Sequence, residues 1–229
     1  MSKHLHRDLE RLKREILQLG ALVEEATVAA IVAFVQRRPD LARKVIDGDV
    51  EIDRREVELE EECLKLLALH QPVATDLRFI IVVLKVNNDL ERMGDLAVNI
   101  AERAEALAAL PPIGVQENFR PLVEQVRGMV RNCLDALVNR DTALAQRVCL
   151  DDDDVDARHA RMYQLIQDLI RLSPEALESA IQALSVSRNL ERIADLATNI
   201  AEDVVFMVEG EVIRHRYSAP PQADRNLRP

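Results

Sequence analysis

Apolar residues recur every three or four positions along most of this chain, the period of a helix with one buried face. Prolines punctuate the pattern at Pro39, Pro72, Pro111-Pro112, Pro121, Pro174 and Pro220-Pro221. The spacing predicts helices over about Lys3–Arg37, Asp40–His70, Thr75–Leu110, Asn118–Asn139, Asp141–Leu172 and Pro174–Arg214. Asp141 and Ser173 are the expected N-caps, the second with Pro174 in the first helical position. From Ser218 onward the chain reads SAPPQADRNLRP, polar and Pro-rich, and is expected to be disordered.

The pattern also repeats. Residues 90–102 read LERMGDLAVNIAE and residues 190–202 read LERIADLATNIAE, with ten of thirteen positions identical at an offset of 100. Upstream, Asp49 and Ile52-Asp53 echo Asp152 and Val155-Asp156 at an offset of 103. Two matches in the same order imply a duplicated unit of about 100 residues. The expected fold is all-α: two tandem antiparallel three-helix bundles related by internal duplication. The expected bounds are 1–111 and 112–217, followed by the tail 218–229. Pro111-Pro112-Ile113-Gly114 forms the link.

Composition agrees with long helices. The 229 residues include only 6 Gly and 9 Pro, and aromatics are 4 Phe and 2 Tyr with no Trp. Sandwiches and barrels need more turns than this. The formal net charge is −10, which argues against nucleic-acid binding, as does the shortage of rings for base stacking. Cys63, Cys133 and Cys149 form no CxxC pair and read as reduced thiols. The N-terminus lacks the apolar core of a signal peptide. The longest apolar run near the middle, Phe79–Leu84, is far short of the about 20 residues a membrane span needs. The expectation is a soluble, intracellular protein.

The repeated motif carries the candidate chemistry. At about 100° per residue, Leu90, Met93, Ala97, Ile100 and Ala104 form an apolar seam. Glu91, Asp95, Asn99 and Glu102 form a polar row on the opposite side. Leu190, Ile193, Ala197 and Ile200 repeat the seam, and Glu191, Asp195, Asn199 and Glu202 repeat the row. In the second helix Asp49, Asp53, Glu56 and Glu60 share one face. Their counterparts are Asp152, Asp156, His159 and Tyr163. Two such rows side by side offer carboxylate and amide oxygens suited to Mg²⁺, Mn²⁺, Ca²⁺ or iron, with His159 adding a nitrogen in the second half only.

A solvated helix face has the same look. Yet like charges at i, i+4 cost about a few tenths of a kcal/mol per pair. The costly spacing appears at Asp49/Asp53, Glu91/Asp95, Asp152/Asp156 and Glu191/Asp195, and a bound cation would relieve it. Arg92 and Arg192 beside the rows either pair with these carboxylates or hold an anion. Asp151–Asp154 lacks the Gly and terminal Glu of an EF-hand loop. No Gly-rich phosphate loop, GxSxG, Cys/His pair or Glu-x-x-His diiron pattern is present.

These residues resemble the PhoU family of phosphate-transport regulators. The likeness rests on QPVATDLRFIIVVLKVNNDLER (71–92), LERMGDLAVNIAE (90–102), RNLERIADLATNIAEDVVFMVEGEVIRH (188–215) and the acidic pairs in helices two and five. The resemblance implies two three-helix bundles, each holding a multinuclear metal cluster of iron or zinc, with manganese or magnesium as further candidates. By motif, the implied ligands are Asp49, Asp53, Glu91, Asp95 and Asn99, then Asp152, Asp156, Glu191, Asp195 and Asn199.

The resemblance further implies a cytoplasmic, non-enzymatic homodimer that reaches the membrane only through partners. Those partners are the ATPase subunit of a phosphate ABC transporter and a phosphate-sensing histidine kinase, and the outcome is repression of phosphate-starvation genes when phosphate is plentiful. Asp76-Leu77-Arg78 aligns with Ala176-Leu177-Glu178, so the halves are not expected to present the same partner surface. Two other readings stand beside the adaptor: a metal-dependent phosphohydrolase using the carboxylate clusters, and a helical module with merely solvated acidic rows.

Overall fold

Each break in the apolar pattern is a helix end. The computed structural model describes residues 3–210. The helices are α1 (Lys3–Gln36), α2 (Pro39–His70), α3 (Ala74–Ala109), α4 (Arg120–Asn139), α5 (Thr142–Leu172) and α6 (Leu177–Glu209). Short 3-10 turns at Gln116–Phe119 and Pro174–Ala176 precede α4 and α6. No strand occurs among the described residues.

The tight corners come in duplicate. Arg37 and Arg140, 103 residues apart, both take left-handed backbone angles (φ 53°), closing α1 and α4. Pro39 then opens α2. Asp141 opens α5 as expected, its carboxylate accepting the Leu144 N–H at 2.9 Å. Ser173 does not cap: its backbone N–H donates to Leu169 O at 2.8 Å and so closes α5. Gly210 (φ 76°) ends α6 ahead of the expected Arg214, its N–H returning to Phe206 O. Residues 211–214 and the tail 218–229 lie outside the described residues.

α1, α2 and α3 pack together as one bundle, and α4, α5 and α6 as the other. α3 and α6 also pack along each other as extensively as α2 packs on α3. They run antiparallel. Arg78, at the start of α3, lies against Gly210 at the end of α6. Midway, Lys85 meets Asp203 at 2.6 Å. At the far end the Ser179 hydroxyl donates to Pro111 O at 3.2 Å. α3 and α6 are therefore the two central helices, and their seams (Leu90, Met93, Ala97, Ile100 and Leu190, Ile193, Ala197, Ile200) are fully buried. Burial of the leucine, isoleucine and methionine side chains stabilises by about 1.5–3 kcal/mol each.

One feature of α1 was not anticipated. It is long and apolar enough to cross a membrane by length and composition, contrary to the expectation of no such segment. Its apolar stripe is the core, however: Leu12, Ile16, Leu19, Val23, Ala30 and Phe34 are buried in the bundle. Phe34 meets Phe119 edge-on at 4.7 Å and joins α1 to the turn before α4.

Candidate metal centres

Two outward grooves, one between α2 and α3 and one between α5 and α6, gather the acidic rows. In the first, burial raises Asp49 to about 6, and the charges of Asp53 and Asp95 add to the effect. Glu91 is raised by burial and then by Asp95, Glu56, Asp53 and Asp49. These carboxylates from two helices therefore feel one another. In the second groove Asp152 is raised to about 6 by burial, then by Asp195 and Asp156. Burial also raises Glu191 and Asp195, and Asp156 adds to both.

The contrast along α2 is informative. Glu51, two residues from Asp49, sits beside Arg54 and Arg55, whose hydrogen bonds hold it down at about 2. Glu58 and Glu62 likewise have arginine partners. Among the described residues no basic group lies within ion-pair distance of Asp49, Asp53, Glu91 or Asp95, nor of Asp152, Asp156, Glu191 or Asp195. A merely solvated helix face is expected to mix signs, as the rest of α2 does.

The amides behave differently from the acids. Asn99 donates its side-chain N–H to Asp95 O one turn back, at 2.9 Å. Asn199 lines a cavity of about 350 Å³ with Asp152, Asp195, Thr198, Glu202, Arg92 and Arg192. Glu202 thus joins the second groove, whereas Glu102 is exposed. Arg92 comes from the first half yet opens onto the second half's cavity, and it lies 3.6 Å from Asp89 on its own helix. The charge of Arg192 only partly offsets the upward push that burial and the neighbouring acids give Glu191 and Asp195.

Deeper in each groove is a pair that spacing alone did not reveal. Asn87, buried in α3, donates to Glu56 Oε1 at 3.0 Å and to Glu56 O at 2.9 Å. At the matching place Ser187 Oγ lies 2.9 Å from His159 Nδ1. The offsets of 100 and 103 align both members of both pairs, which is the signal that could have found them. Arg78 forms no ion pair with Asp76; it abuts the end of α6 at Gly210.

The acidic residues fit a cation. Asp49 Oδ1 and Asp152 Oδ1, at equivalent positions, are both buried with no hydrogen-bond partner, and the surrounding donors are hard oxygens. Among the described residues no three acidic, histidine or cysteine side chains already converge to ligating distance. Holding an ion therefore requires rotation of side chains such as the exposed Asp53 and Asp95. A bound cation would neutralise the crowded carboxylates and tie α2 to α3 and α5 to α6.

Fold and grooves together define a duplicated six-helix protein with a carboxylate-rich face on each half. The PhoU domain profile matches residues 16–104 and 119–204. The chain is 38% identical over 213 residues to a phosphate-specific transport system accessory protein PhoU homolog of Aquifex aeolicus, covering 93% of this chain and 96% of that one. A Pseudomonas putida protein of the same description is 36% identical, over 94% and 84% of the two chains. The crystal structure of PhoU from Pseudomonas aeruginosa superposes with a TM-score of 0.88 at 34% identity, covering 90% of this chain and 99% of that one. The phosphate transport system regulatory protein PhoU of Streptococcus pneumoniae gives 0.80 at 28% identity, over 91% and 98% of the two chains. This chain belongs to the PhoU family.

Proposed function

We propose that this protein is a cytoplasmic accessory regulator of a phosphate-specific transport system, acting by docking rather than by catalysis. The observation that carries the reading is the near full-length match, at 38% identity, to a relative described as an accessory protein of that system. Long helical faces bearing fixed charge offer docking area. The partners are the transporter's ATPase subunit and a phosphate-sensing histidine kinase. The protein works as a homodimer, and its bound form holds the kinase in the state that represses phosphate-starvation genes when phosphate is plentiful. Coupling of this kind needs about 1–3 kcal/mol between states.

The same reading places multinuclear clusters of iron or zinc, or of manganese or magnesium, in the two grooves. Asp49, Asp53, Glu91, Asp95 and Asn99 hold one; Asp152, Asp156, Glu191, Asp195 and Asn199 hold the other. The cations supply positive charge that fixes the helix pairs for docking.

Co-purification of the full chain with the ATPase subunit and the kinase, at high and low phosphate, tests the adaptor role. Retention of both at high phosphate is the expected result; no retention at either level overturns it. Elemental analysis of protein never exposed to chelators tests the clusters. Phosphatase turnover with added Mn²⁺, Fe²⁺ or Zn²⁺, abolished by Asp95→Ala, would replace the docking reading with an enzymatic one.

A further inference from the structure

We infer that the two grooves are chemically unequal metal sites: the α2/α3 groove is an all-oxygen site for hard cations, and the α5/α6 groove is a mixed nitrogen–oxygen site in which His159 confers preference for zinc-like ions. The inference rests on the metal reading above and concerns which ion each half takes.

Among the aligned differences between the halves, three bear on the donors. Glu56 becomes His159, Asn88 becomes Arg188 and Val98 becomes Thr198. The first two replacements remove a negative charge and add a positive one. The third places a hydroxyl beside Asp152. The second groove thus offers a different donor set, with an imidazole where the first has a carboxylate. Hard cations such as Mg²⁺ and Mn²⁺ favour dense carboxylate oxygen, whereas imidazole suits Zn²⁺ and its neighbours.

His159 is placed for this task. It lies one turn along α5 from Asp156, and Ser187 lies one turn along α6 before Glu191. His159 Nδ1 is engaged with Ser187 Oγ at 2.9 Å. In the tautomer that ligation requires, Nδ1–H donates to that hydroxyl and the lone pair sits on Nε2. A partner on the far nitrogen is how ligating histidines are commonly oriented. In the first groove the equivalent contact presents Glu56 to Asn87 and supplies oxygen only.

The test is calorimetric titration of the full-length, chelator-stripped protein with Zn²⁺ alone and with Mn²⁺ alone, in the wild type, His159→Glu, His159→Gln and Glu56→His. Nitrogen-15 spectra of the imidazoles provide the second readout. The wild type is expected to show one class of Zn²⁺ site at least tenfold tighter than the other, with a His159 Nε2 shift on filling it. His159→Glu and His159→Gln should weaken that class tenfold or more while leaving Mn²⁺ affinity of the first groove unchanged. Glu56→His should create a second tight Zn²⁺ class. Equal Zn²⁺ classes, or a tight class insensitive to both His159 variants with no Nε2 shift, overturn the inference while leaving the metal reading intact. No heat and no shift with either ion at millimolar concentration overturn the metal reading and this inference with it. Should the variants fail to fold, the wild-type Nε2 shift decides.

Discussion

Lys85 Nζ lies 2.6 Å from Asp203 Oδ1, an ion pair between the two central helices whose carboxylate is almost wholly buried. Its place in the duplication is one-sided. The equivalents of Lys85 and Asp203 are Ser185 and Arg103, so the reversed contact carries no matching ion pair. The interior of the α3/α6 seam is thereby bound by charge, and the far end by the Ser179 hydroxyl on Pro111 O.

Lys85→Ala removes the ammonium beside a carboxylate that water reaches poorly. The expected loss is about 1–3 kcal/mol, less than for a fully buried pair because the lysine is partly exposed. Urea unfolding should show a lower midpoint. Lys85→Met with Asp203→Leu should recover part of it, since an apolar pair buries no charge. A midpoint unchanged by Lys85→Ala would mean that the pair does not hold the halves together.

Gly20 on α1 approaches Leu134 on α4: a Cβ there would stand 2.8 Å from Leu134 Cδ2. Gly20→Ala should gain helix propensity of about 1 kcal/mol but force Leu134 from its place, a cost of about 1–3 kcal/mol. The net change is a small loss of stability. The sharper expectation is coupling. Leu134→Ala should cost less in the Gly20→Ala background than alone, by about 0.5–3 kcal/mol in a double-mutant cycle. Additive effects would place the residues out of contact.

Much of this architecture was legible in the sequence because it depends on short-range chemistry. Proline spacing and the three-four apolar period set the helices to within a few residues, and Asp141 caps as its type demands. The duplication located the acidic rows, since a like-charged i, i+4 pair kept in both halves is visible at offsets of 100 and 103. Contacts across the α3/α6 seam were not legible. Nothing in the local pattern says that Arg92 opens onto the other half's cavity, that Arg78 abuts Gly210, or that Lys85 finds Asp203. Those relations follow from how two bundles dock. Ser173 departs from its expected role because its backbone N–H is committed to Leu169 O, closing α5, while its hydroxyl caps none of the N–H groups that follow.

Cys63, Cys133 and Cys149 are all buried and unpaired. Burial pushes the Cys63 and Cys149 thiols up to about 12, and Cys133 is raised as well. Thiolate is the reactive form, so native protein at pH 8 should react with a thiol reagent at less than about a hundredth of the rate seen in denaturant. Rapid labelling of Cys63 in the native state would show that α2 opens locally.

Asp49 and Asp152 are raised from an ordinary 3.8 to about 6. The folded state thus holds protons that the unfolded chain releases. Their contribution to stability is present below about pH 4 and is lost as pH rises to about 6; above that, the crowded charge is a standing cost. In chelator, Asp49→Asn should raise stability at pH 7.5 by about 1 kcal/mol, solvent screening at the groove rim keeping the gain this small. At pH 4 it should change little. Added divalent cation should reverse the order at pH 7.5, because the wild type keeps a ligand the variant lacks. Thermal unfolding at the two pH values, with and without cation, checks all three outcomes. A variant no more stable than wild type in chelator at pH 7.5 would show that Asp49 is not under electrostatic strain.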